Sequence, residues 1–158
     1  MKIRPKARRL GRCLSGSLLA ASMLVIVQSS PAFAASCTTS IDNPHFSSGA
    51  GGIIVKGHFD CGAATVDEVA FVMQLYVCPS YPSNPTEANL AVYCTLKANN
   101  GRSDYNVPPG DHTRYAPENT LPGVHGTGYW VGCIIINWYD PNFQGSSMST
   151  SNPVYLSA

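Results

Sequence analysis

Charged side chains are scarce: Asp, Glu, Lys and Arg together make up 12% of the 158 residues. So sparse a complement excludes a coiled coil or an acidic disordered tail, both of which need charge in quantity. The motifs of common metal and catalytic centres are missing too. There is no C-x-x-C, H-x-x-x-H, H-E-x-x-H or calcium-loop spacing, and no G-x-S-x-G elbow to hold a serine nucleophile. Beyond residue 35 there is no helix-period stretch of useful length, no internal repeat and no low-complexity segment. What is plentiful is 14 Gly, 12 Pro and 44% hydrophobic residues, the mixture of a small turn-rich domain that can bury a core.

Residues 1–12 carry Lys2, Arg4, Lys6, Arg8, Arg9 and Arg12 with no acid, and an apolar run over 14–27 is broken by Ser15, Gly16, Ser17 and Ser22. Ala32-Phe33-Ala34 then fits an A-x-A cleavage site. The expectation is a signal peptide over 1–35, cleaved on the ordinary secretory route, and a single secreted domain over 36–158 with no membrane span. Arg8-Arg9 keeps twin-arginine export open, although Ala7, Leu10 and Gly11 lack the rest of that motif. Acylation of Cys37 would want a leucine three positions back, where Ala34 stands. The leader takes six of the ten basic residues with it and none of the nine acidic ones, so the remainder carries a net charge of −5. Lys56, Lys97, Arg102 and Arg114 are too few to hold phosphate backbones, which excludes nucleic acid.

Cys13 lies in the leader, which leaves Cys37, Cys61, Cys78, Cys94 and Cys133, an odd number in an oxidising compartment. Residues 53–61 alternate, with Ile53, Val55, Phe59 and Cys61 on one face and Lys56, His58 and Asp60 on the other. A turn at 47–52 centred on Gly49 places Cys37 opposite Cys61, within bridging reach. Cys78 and Cys94 are equidistant from Thr86, in the middle of the proline-rich loop 79–87, and pair by the same reasoning. Cys133 then stays a buried free thiol. A Cys61–Cys133 bridge with Cys37 free, as in antibody-type domains, is the alternative that spacing leaves open.

Residues 66–78 and 90–96 alternate as strands, and Asn100-Gly101 predicts a hairpin turning 96–98 back into 103–107. A short strand is expected near 112–115. Residues 128–139 are apolar on both faces and must be covered twice. A final strand is expected over 147–156, with Pro153 at an edge or bulge. About seven short strands predict an all-β, disulfide-stabilised antiparallel sandwich. Its strand ending in Cys61, the Val66-Asp67-Glu68-Val69 entry to the strand ending in Cys78, the following Cys94, the Tyr129-Trp130 strand and the closing Asn152-Pro153-Val154-Tyr155-Leu156 resemble the small exported immunoglobulin-like proteins of actinobacteria. The resemblance spans most of residues 36–158 and implies an immunoglobulin-like fold, without the tryptophan that antibody domains carry in the strand matching 66–78.

Chemistry has little to build on. His58 beside Asp60 reads as a solvated strand face, and Asp111-His112 with Asp104 and Ser103 makes a triad only on paper. Asn99, Asn100, Asp104, Asn106 and Asp111 could gather calcium but are ordinary turn residues, and Asp67-Glu68 point to opposite faces. The expectation is no enzyme, no cofactor and no metal. Binding has better material: a stiff loop at 79–85 presenting Tyr81 to an extracellular or envelope partner, or plugging a protease cleft. The alternative is a cell-wall or carbohydrate-binding module stacking sugars on Trp138 and Tyr139.

Overall fold

The alternation over 53–61 does place a strand there, and it organises the first of two antiparallel sheets. The computed structural model describes residues 36–141 and 143–158; the expected leader, with Cys13 and the Ala32-Phe33-Ala34 site, lies outside the described residues. In the first sheet β3 (Gly52–Asp60) pairs with β1 (Thr38–Ile41), β2 (His45–Ser47) and β6 (Asp111–Ala116). Asp60 faces Thr38 on one side and Asp111 on the other, so β1 and β6 flank β3. The second sheet runs β5 (Thr95–Val107), β4 (Val66–Cys78), β7 (Thr127–Asp140), β8 (Phe143–Thr150), with β9 (Val154–Ser157) also on β7. The all-β antiparallel sandwich is therefore as expected.

Among the described residues nine strands occupy seven positions, because two edge strands are each broken in two. Asn43-Pro44 separates β1 from β2, and Asn152-Pro153 separates β8 from β9. Proline cannot donate to the ladder, which confines it to such interruptions. This corrects the single strand expected over 147–156, which begins earlier and is split at Pro153. The two breaks touch: the Asn152 amide donates to Asn43 Oδ1 at 3.2 Å. Ser151 at the second break is satisfied through Gly132, whose amide donates to Ser151 Oγ at 2.9 Å. Along the same seam Thr39 Oγ1 lies 2.9 Å from both Ser147 Oγ and Ser149 Oγ, a side-chain clasp between β1 and β8.

Between the sheets lie Val55 and Phe59 of β3, Phe71, Met73 and Leu75 of β4, and Trp130, Ile134, Ile136 and Trp138 of β7, all buried. Two glycines let the sheets close: a Cβ on Gly57 would sit 2.5 Å from the Met73 sulfur, and one on Gly132 2.5 Å from Val55 Cγ2. The opposite face of β7 is covered by a helix, α1 (Glu87–Tyr93), which seats fully buried Leu90 against Tyr76, Val131 and Cys133. Burial of that one leucine is worth about 2 kcal/mol.

The helix overturns the strand expected over 90–96. Thr86 caps it, its hydroxyl accepting from the Asn89 amide at 3.3 Å, and Glu87 sits in the first turn. The Cys94 amide closes it by donating to the Leu90 carbonyl at 3.0 Å. The hairpin expected at Asn100-Gly101 is absent as well: β5 runs straight through, with Asn100 opposite Met73 and Gly101 opposite Val72. Thirteen residues of β4 offer a ladder of matching length, and a full ladder satisfies more backbone groups than a two-residue turn.

Both expected disulfides form, Cys37–Cys61 and Cys78–Cys94, and Cys133 is a buried free thiol. The first follows from the β1–β3 register as foreseen. The second does not come from a hairpin; it ties the end of β4 to the C-terminus of α1.

Candidate functional site

Loop 79–86 leaves the end of β4, and the bridge returns the chain to that point after about two helical turns. Asn84 organises the return: its carbonyl accepts from the Thr86 amide at 2.9 Å and from Asn89 Nδ2 at 3.0 Å. Between loop and helix opens a cleft of about 240 Å³, with Ser80, Tyr81, Ser83 and Asn84 on the loop side and Asn89 and Tyr93 on the helix side. Tyr81 is 60% exposed and Tyr93 72%. Among the described residues no Asp, Glu, Lys, Arg or His lines it.

Tyr81 does not wave free. Its ring meets Tyr129 edge-on with centroids 5.5 Å apart, and Tyr129 meets Tyr155 at 5.2 Å, so three tyrosines form a continuous ridge beside the cleft. Such edge-to-face pairs add about 1 kcal/mol each to simple burial. Tyr81 was legible in the sequence from its place between prolines in a bridged loop. Tyr93 and Tyr155 were not, because a helical turn and a strand register bring them in, and neither was predicted.

The sugar-stacking pair expected from Trp138 and Tyr139 is not formed. Neighbours on a strand point to opposite faces: Trp138 is 7% exposed in the core, packed over Gly145, while Tyr139 is half exposed on the outer face. The catalytic drawings come apart similarly. His58 Nδ1 lies 3.1 Å from Asp111 Oδ2, and Asp60 instead accepts from the Gly62 amide. His112 stacks on Phe59 with its Nε2 2.8 Å from the Pro108 carbonyl oxygen, and Asp104 is engaged by Arg102 and Arg114. Among the described residues no group of three or more His, Cys, Asp or Glu could hold a metal ion, and no helix is long and apolar enough to cross a membrane.

Burial beneath α1 pushes the Cys133 thiol from its ordinary 9.0 up to about 12, the Glu87 carboxylate adding to the shift. Burial also raises the Tyr76 phenol next to it, with Cys133 and Glu87 adding. A thiol so held is a poor nucleophile. Native protein at pH 8 will therefore resist thiol reagents and label fully in denaturant; prompt native labelling would show that α1 does not seal the site. The unfolded chain gives up the Cys133 proton near pH 9 while the folded chain keeps it to about 12. Stability contributed by the neutral thiol is thus present below pH 9 and lost across that window, and unfolding of Cys133→Ala will be less sensitive to pH there.

No protein-family model, curated protein or solved structure matches the chain.

Proposed function

We propose that the chain is an exported, non-enzymatic binding domain that engages an extracellular or envelope partner through the Cys78–Cys94 loop. The carrying observation is the cleft under that loop, flanked by Tyr81 and Tyr93, side chains of the kind that dominate binding energies, on a segment fixed at both ends by covalent attachment. Export is supported by the basic, apolar and A-x-A segments of the leader together with two disulfides, which persist in oxidising compartments. We read the sandwich as immunoglobulin-like, of the sort carried by small exported actinobacterial proteins. The crossing from β5 in one sheet to β6 in the other supports this reading.

A photo-reactive amino acid in place of Tyr81, in protein produced by its own cells, is expected to give one dominant adduct. The same group in place of Tyr105, exposed at the far end of β5, is expected to give none. Adducts from position 105 but not from 81 would remove the loop from the function.

A further inference from the structure

We infer that the cleft between loop 79–86 and α1 accepts a neutral sugar ring, a hexopyranose presented free or at the end or branch of a polysaccharide. This rests on reading the loop as the binding surface and names what it binds. Charge is the first discriminator. The lining holds no cation, and the described residues carry nine acidic against four basic side chains. Phosphate, sulfate and uronic acid groups would find no cation in that lining to pair with and would approach a domain of net negative charge.

Polarity is the second. Ser80, Ser83 and Asn84 line the cleft, their side chains make no hydrogen bond among the described residues, and Asn89 spends only one amide N–H, on the Asn84 carbonyl. Hydroxyls and amides each both donate and accept, which suits a ligand edged with hydroxyl groups. An aliphatic ligand would strip them of water and return nothing. Tyr81 and Tyr93, both mostly exposed, supply ring surface for the C–H face of a sugar. Size is the third discriminator: about 240 Å³ falls below the usual range for drug-sized ligands and suits a single ring.

The test uses the exported protein with both bridges intact. It is sedimented with insoluble cellulose, β-1,3-glucan, galactan and mannan, and with polygalacturonate as the anionic control. Binding to at least one neutral polymer is expected. Tyr81→Ala, Tyr93→Ala and Asn84→Ala should each weaken it about tenfold or more, and Tyr139→Ala should leave it unchanged. Thermal unfolding of each variant identifies any loss that comes from misfolding, and Asn84→Ala, an exposed polar truncation, keeps the test valid if a tyrosine variant fails to fold. Competition by the free monosaccharide identifies a free sugar as sufficient; no competition assigns recognition to the polymer. Binding to none of the neutral polymers, equal binding to polygalacturonate, or loss through Tyr139→Ala in place of the cleft variants would overturn the inference. If sugar binding fails while the photo-reactive group at position 81 still captures a protein, the inference falls and the binding-domain reading stands. If both fail, both fall.

Discussion

Trp138→Ala will destabilise the fold by about 3–5 kcal/mol, the usual result of emptying a buried aromatic site. For a chain of this size that lowers the melting temperature by about 10–20 °C. Trp138 is 7% exposed, packs among the residues between the sheets and lies over Gly145, where no side chain could move in to fill the space. Urea unfolding at constant slope measures the loss. An unaltered midpoint, with binding to polysaccharide abolished, would mean that Trp138 serves a surface and not the core.

Replacing Cys37 and Cys61 together by alanine will cost about 3 kcal/mol, the loop-closure term for a bridge spanning a separation of 24 residues. β1 has only four residues in its ladder with β3, so the bridge carries much of its attachment. The rest of the hold comes from Ile41 packed on the core, the hydroxyl clasp from Thr39 to Ser147 and Ser149, and the Asn152–Asn43 bond just beyond the strand. The variant lacking Cys78 and Cys94 supplies the control, since its reduction opens only the Cys37–Cys61 bridge and should cost the same amount. A loss below about 1 kcal/mol would show that the clasp and the short ladder suffice. Removing Cys78 and Cys94 costs a similar amount by the same model, but that loss falls on the cleft, not on the attachment of an edge.

The sandwich was legible because its signals are local. Alternation at Ile53, Val55, Phe59 and Cys61 fixes a face, and two apolar faces on β7 require two covers. The identity of the second cover was not legible. Leu90, Val92, Cys94 and Leu96 alternate as a strand would, and over so short a run that pattern also fits a helix turn. Thr86 and Glu87 held the deciding information, a cap and an acid in the first turn. Asn100-Gly101 misled for the opposite reason: its turn preference is local and weak, while the ladder with β4 is long. Of the candidate site, Tyr81 and the bridge could be read from spacing, whereas Tyr93 and the Tyr129–Tyr155 ridge depend on the helix and on register between distant strands.

The five cysteines of the described residues form two bridges and leave one thiol over, and the position of Cys133 explains why it is the one left. The two native bridges join residues 24 and 16 apart, close enough to meet early at little entropic cost. Cys133 is distant from every other cysteine of the domain along the chain, and a thiolate, the species that shuffles disulfides, is suppressed once it is buried. Leu90 shares one buried cluster with Cys78 and Cys133, and Cys94 ends the helix that carries Leu90, so the second bridge and the burial of the unpaired thiol depend on the same short helix.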